Sequence, residues 1–142
     1  MLTKVMVTGI TGYIGQHCGA ELLRQGYEVI GTVRSMEKAD IVREGIARVA
    51  PIDNLTFCET NLLSDEGWKE AMDGCAYVLH VASPFIIANP ADENEMISPA
   101  VDGTLRVLSA AKANGVKRVV VTSSLIAIIA GKLSGHYQLC SC

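Results

Sequence analysis

The chain has 142 residues, of which 49% are hydrophobic and 19% are charged, and its formal net charge is -3. This length fits one domain, and the composition excludes a disordered chain, a collagen-like repeat and a coiled coil. The 12 basic and 15 acidic residues form no long run of like charge, so we expect neither nucleic acid nor an anionic membrane as a partner. Five scattered cysteines indicate reduced thiols, and no metal site is expected.

The amino terminus resembles neither a secretion signal nor a membrane span, because Lys4 interrupts its apolar residues and Thr8-Gly9 ends them. The longest apolar region, residues 119–130, carries hydroxyl side chains in its middle. It is also shorter than the ~20 residues that a spanning helix needs. We therefore expect a cytoplasmic protein without a membrane partner.

Apolar strands alternate with amphipathic helices along the chain. The pattern predicts strands over residues 4–8, 28–33, 55–59, 76–81 and 117–122. It predicts helices over 13–25, 37–49 and about 92–114, and a short helix capped by Ser64. The long helix places Ile97, Val101, Leu105 and Leu108 on one stripe. This alternation predicts an α/β fold, a Rossmann domain with a doubly wound parallel sheet of about five strands in the order 3-2-1-4-5.

Three glycines stand between the first strand and the first helix. Gly9 permits a tight turn, Gly12 lets the backbone approach a pyrophosphate, and Gly15 permits close packing of the helix against the strand. The start of the helix also offers free N–H groups to an anion. Because a strand precedes the glycines and a helix follows them, the motif predicts a dinucleotide site rather than a simple turn.

The residue after the second strand distinguishes the two nicotinamide cofactors. An acidic residue binds the ribose 2′-hydroxyl of NAD, whereas an arginine accommodates the 2′-phosphate of NADP. Arg34 occupies this position, no Asp or Glu stands at the strand end, and Lys38 follows one helical turn later. These residues favour NADP(H) over NAD(H), and the alternative is that both are solvated surface charges.

A wider pattern extends from the glycine motif through most of the chain. Its segments are residues 8–15, 32–35, 61–63, 80–84, 99–104 and 121–124. In order and spacing they resemble the extended short-chain dehydrogenase/reductase family, within the NAD-dependent epimerase/dehydratase superfamily. The resemblance covers about residues 1–130 and is strongest to the branch of dihydroflavonol, cinnamoyl-CoA and aldehyde or methylglyoxal reductases.

The resemblance implies a role for each matching residue. The pyrophosphate would lie against Gly9, Gly12, Tyr13, Ile14 and Gly15, and the 2′-phosphate against Arg34 and Lys38. The adenine would lie near Asn61 and Leu62, and the ribose and nicotinamide along Val81, Ala82 and Ser83. Ser124 matches the catalytic serine that hydrogen-bonds the substrate oxygen, and Ser123 is the alternative. Asn61 replaces a family aspartate, which keeps one acceptor oxygen and adds donors.

The chain departs from the family at its end. The family's catalysis uses a Tyr-x-x-x-Lys pair, whose tyrosine donates a proton while hydride arrives from the cofactor. Residues 1–142 contain no such pair, since Tyr137 is followed four residues later by Ser141. We expect Tyr137, His136 and the Cys140-x-Cys142 pair to belong to a divergent tail, residues 131–142, after an NAD(P)-binding domain at 1–130. His80 is expected to be a half-buried structural histidine.

The function implied is that of an NADP-binding domain of a reductase, which transfers hydride from NADPH to a small aldehyde or ketone. Compared with the family, we expect a truncated Rossmann domain that lacks the C-terminal substrate domain. A carbonyl substrate would need that domain, so the sequence does not decide whether the chain is itself an enzyme. The alternatives are a non-enzymatic NADP(H)-binding module or sensor, a nucleotide-sugar epimerase or dehydratase, and a non-functional product. The last strand, residues 118–122, would be an apolar edge open to self-association.

Overall fold

The computed structural model describes residues 1–84, 92, 94–125 and 129. Within this part, five parallel strands form one sheet in the order β3-β2-β1-β4-β5. The strands are β1 (Lys4–Thr8), β2 (Glu28–Val33), β3 (Leu55–Glu59), β4 (Tyr77–His80) and β5 (Arg118–Val121). The helices are α1 (Tyr13–Arg24), α2 (Ala39–Ala47), α3 (Trp68–Ala71) and α4 (Asn94–Ala113). The predicted fold class and strand order are confirmed.

Helices cover both faces of the sheet because successive strand residues point to opposite sides. On one face, Val7, Ile10 and Val29 pack with α1 and α2. On the other face, Met6 and Val78 pack with α3 and α4. Each of these five side chains is at most 1% exposed, and burying a side chain of this size contributes about 1.5–3 kcal/mol. Two apolar layers therefore hold the ends of the strands in place.

The short helix differs from the prediction at its start. α3 begins after Gly67, whose φ of 79° lies in the left-handed region, and not at Ser64. The Ser64 hydroxyl accepts a hydrogen bond from the Glu66 N–H at 3.3 Å, which closes a turn before the helix. Trp68 and Met72 are buried as expected.

Two other helices also differ in detail. The helix predicted over 37–49 is a 3-10 turn (Met36–Lys38) followed by the shorter α2. In α4 the predicted stripe of Ile97, Val101, Leu105 and Leu108 is exposed. The buried face of α4 instead consists of Gly103, Val107, Ala110 and Ala111, because small side chains allow the helix to approach the sheet closely.

No helix in the described part of the chain is long and apolar enough to cross a membrane. Cys18, Cys58 and Cys75 are free thiols. Burial raises the pKa of Cys58 and of Cys75 to about 11, so both stay protonated at neutral pH. His136, Tyr137, Cys140, Cys142 and the predicted tail 131–142 lie outside the described residues.

Candidate functional site

A cavity of about 590 Å³ lies at the carboxyl ends of β1 to β4. In open α/β sheets this end of the strands is where ligands bind. Most of the predicted cofactor residues line the cavity, namely Gly9, Gly12, Tyr13, Ile14, Gly15, Arg34, Asn61, Leu62, Val81, Ala82 and Ser83. Lys38 and Ser124 are not among the lining residues. The fold therefore brings together four separate segments of the sequence at one site.

The β1–α1 turn needs its glycines for steric reasons. Gly9 has a φ of +69°, and a Cβ there would lie 2.9 Å from the Cα of Ala82. A Cβ at Gly15 would lie 2.2 Å from the Gly9 carbonyl oxygen. Gly12 is the residue before α1, and its side-chain-free position leaves the first turn without a side-chain cap. The N–H groups of that turn are thus available to an anion such as a pyrophosphate.

A buried hydrogen-bond network joins this turn to the end of β4. The Thr8 hydroxyl accepts from the backbone N–H groups of Val81 and Ala82, each at 3.1 Å. Two acceptor bonds use both lone pairs of the oxygen, so its proton goes to His80 Nδ1 at 2.8 Å. His80 is therefore neutral with its proton on Nε2, and burial lowers its pKa. The network fixes the backbone of two predicted cofactor residues.

Arg34 gives the cavity its charge. It follows β2, its side chain is exposed, and among the described lining residues it is the only one that carries a charge at neutral pH. Its loop is held at the next strand, because the Met36 N–H donates to the Glu59 carboxylate at 3.2 Å. Lys38 ends the 3-10 turn of the same loop and is exposed. An anion in the cavity can therefore contact Arg34, and Lys38 adds a second positive charge on the same loop.

The loop after β3 forms the wall next to Arg34. The Asn61 side-chain oxygen accepts from the Leu63 N–H at 3.0 Å, and the Asn61 carbonyl accepts from the Trp68 indole at 3.1 Å. Arg106 of α4 donates to the Leu62 carbonyl at 2.7 Å and pairs with Asp65. Contacts with α3 and α4 therefore hold this wall in a defined shape.

Thr32, Thr60 and Trp68 are among the lining residues to which the sequence analysis assigned no role in the site. Thr32 accepts a hydrogen bond from the Gly9 N–H at 3.3 Å, and Trp68 forms part of the buried wall. Thr60, the first residue after β3, is buried and also lines the cavity. Their signal in the sequence is weak, because a hydroxyl at a strand end is common and only the sheet topology brings these strand ends together. Ser124 is exposed and follows β5, three residues beyond its end.

Comparison with known proteins identifies the family of the chain. Residues 5–138 match the sequence model of the NAD dependent epimerase/dehydratase family. The chain belongs to that family. The family resemblance predicted from the glycine motif and the later segments is therefore confirmed.

Individual relatives within the family are longer than this chain. Dihydroflavonol 4-reductase from Solanum lycopersicum is 42% identical over 86% of this chain, but the match covers 32% of the relative. The crystal structure of yeast methylglyoxal/isovaleraldehyde reductase complexed with NADPH superposes with a TM-score of 0.75 at 31% identity, over 88% of this chain and 38% of that one. Vestitone reductase from alfalfa gives a TM-score of 0.68 at 30% identity and covers 87% and 37%. The chain thus spans less than two fifths of the length of these relatives.

Proposed function

We propose that this chain binds NADPH and is the cofactor-binding part of a reductase that acts on small carbonyl compounds. The observation that carries the proposal is Arg34, placed at the end of β2 in a cavity whose described lining contains no carboxylate. An arginine there accommodates a 2′-phosphate, whereas binding of NAD uses an acidic residue. The NADPH in the structure of the yeast relative supports the same cofactor.

The described residues fit a dinucleotide. The pyrophosphate would lie at the uncapped start of α1, beside a turn that is packed too closely for side chains at Gly9 and Gly15. Arg34 would bind the 2′-phosphate, with Lys38 adding positive potential from the same loop. The adenine would then extend along Asn61 and Leu62 at the end of β3. The nicotinamide half would lie along Val81, Ala82 and Ser83, at the end of β4.

When bound, the cofactor supplies a hydride to a carbonyl carbon. We propose that the backbone of Val81 to Ser83, fixed by the Thr8 network, orients the half of the cofactor that reacts. Ser124 would hydrogen-bond the carbonyl oxygen of the substrate and so orient it. We assign cofactor binding to residues 1–130, whereas selection of the substrate would fall to a longer chain of the kind seen in the relatives.

The charge of Arg34 provides the test of this proposal. We expect the wild-type chain to bind NADPH more tightly than NADH in a fluorescence titration. Arg34→Asp should weaken NADPH binding about ten- to a hundredfold, since a charge-assisted hydrogen bond is worth about 1.5–3 kcal/mol. NADH binding should change much less, because that cofactor has no 2′-phosphate.

Arg48→Asp is the matched control. Arg48 is exposed just after α2 and does not line the cavity, so the same change of charge occurs outside the site. We expect its effect on either cofactor to be small. Equal loss of NADPH binding in both variants, or equal affinity of wild type for the two cofactors, would contradict the assignment of the 2′-phosphate to Arg34.

A further inference from the structure

Thr60 carries a buried hydroxyl that the fold itself does not use. The residue is 7% exposed, and its Oγ1 has no hydrogen-bond partner among the described residues. Its backbone is well placed, since the Thr60 N–H donates to the Val33 carbonyl at 2.9 Å. Buried hydroxyls are nearly always paired, because an unpaired one loses its bonds to water without replacement. An unpaired hydroxyl on the wall of a cavity indicates a bond to a ligand.

The place of Thr60 in the cavity identifies the part of the ligand. A dinucleotide with its pyrophosphate at α1 and its 2′-phosphate at Arg34 has its base farther along the sheet, toward β3. Thr60 is the first residue after β3 and lines the cavity there. Its neighbours in that wall are mainly apolar, with Val33, Leu62 and Trp68 among them. An apolar wall with one hydroxyl suits the faces and the polar edge of a purine.

The neighbouring amide is already partly engaged. The Asn61 side-chain oxygen accepts from the Leu63 N–H at 3.0 Å, which uses one of its two lone pairs to close the turn. The Thr60 hydroxyl can both donate and accept, and neither capacity has a partner among the described side chains. Thr60 Oγ1 is therefore a buried polar atom of a lining residue that has no partner among the described residues.

We propose that the Thr60 hydroxyl accepts a hydrogen bond from the amino group of the adenine of the bound dinucleotide. This inference rests on the proposed function, and it adds a residue that selects the base. Thr60→Val removes the hydroxyl but keeps the branched shape, so the wall should keep its form. Thr60→Ser keeps the hydroxyl and loses only a methyl group.

The test measures NADPH binding to the full 142-residue chain by calorimetry. We expect Thr60→Val to weaken NADPH binding about three- to tenfold, the size expected for one hydrogen bond, and Thr60→Ser to stay close to wild type. Thr60→Val should melt no lower than wild type without cofactor, because it removes an unpaired buried polar atom. Thr56→Val is the matched control, since Thr56 lies within β3, four residues before Thr60, and outside the cavity.

The ethenoadenine analogue of NADPH, whose base is alkylated on the amino edge, separates the contact to the base from other effects. Wild type and Thr60→Val should bind this analogue equally, because its bridged amino nitrogen has no N–H to donate to the Thr60 hydroxyl. Equal NADPH affinity of wild type and Thr60→Val would overturn the inference and leave the proposed function intact. An equal loss with the analogue would also overturn it, by placing the effect away from the base. Failure of wild type to bind NADPH at all would remove the proposed function and the inference together.

Discussion

At the scale of a single residue, His80 links the stability of the fold to pH. It is 2% exposed, and its Nδ1 accepts the proton of the Thr8 hydroxyl, so the folded state requires the neutral imidazole. Burial lowers the pKa of His80 below its ordinary value of 6.5. Between pH 6.5 and the lowered pKa, His80 of the unfolded chain therefore binds a proton more readily than His80 of the folded chain. The contribution of neutral His80 is complete above pH 6.5 and is lost as the pH falls toward the lowered pKa.

We therefore expect the free energy of unfolding, measured by urea titration at a series of pH values, to decrease as the pH falls below 6.5. His80→Asn should flatten this dependence, because its side-chain oxygen can accept from Thr8 but does not titrate in this range. His17→Asn is the control, since His17 is exposed on α1. If His80→Asn keeps the wild-type slope, the acid sensitivity arises elsewhere in the chain.

At the scale of the elements, β5 is a terminal strand of the described sheet. It pairs with β4, and no described strand pairs with its other side. Val120 is 51% exposed and Val121 is 44% exposed, so apolar side chains accompany the free edge. Exposed apolar edge strands pair readily with other chains, and a lysine on such a strand is a common protection.

We predict that the chain associates with itself in a concentration-dependent manner, as measured by size-exclusion chromatography with light scattering. Val120→Lys should reduce this association strongly while leaving the melting temperature nearly unchanged. Val49→Lys is a matched control, because Val49 is also 51% exposed but lies beyond the end of α2. A wild-type chain that stays monomeric at all concentrations would show that this edge is protected.

The elements also show how far the sequence determines local structure. β1, β2 and β3 have the predicted bounds, because each is an apolar run that ends at a glycine, an arginine or a threonine of a turn. The start of α3 and the buried face of α4 differ from the prediction. Gly103 packs closely against Leu62 and Ala111 lies in the core, whereas the larger Leu105 is exposed, since close approach favours the smallest side chains. The spacing of hydrophobic residues predicts an apolar stripe on a helix, but it does not determine which face of the helix packs against the core.

At the scale of the whole molecule, the sequence predicts the separate segments of the candidate site better than it predicts how the sheet brings them together. The glycine turn and Arg34 follow from local sequence, because a strand, a turn and a helix place them without distant contacts. Thr60 can be recognised as a site residue only from the sheet order, which places β3 beside β2.

The ionisable residues of the cavity predict that this chain binds the cofactor but does not reduce a carbonyl compound. A carbonyl oxygen that receives a hydride needs a proton from a group within hydrogen-bond reach. In the described part of the cavity the ionisable side chains are Tyr13 and Arg34, which belong to the β1–α1 turn and to the end of β2. The described lining residues that follow β4, where the nicotinamide would lie, include none, and residues 1–142 contain no Tyr-x-x-x-Lys pair.

We therefore expect the 142-residue chain to bind NADPH but not to oxidise it when small aldehydes and ketones are added, as followed by the absorbance of the reduced cofactor. The yeast reductase is the positive control in the same assay. Ser124→Ala should leave NADPH binding unchanged, because Ser124 does not line the described cavity. Oxidation that depends on the carbonyl compound would show that the chain contains its own proton donor, and its loss in Ser124→Ala would show that Ser124 acts on the substrate. It would then be a complete reductase and not its cofactor-binding part alone.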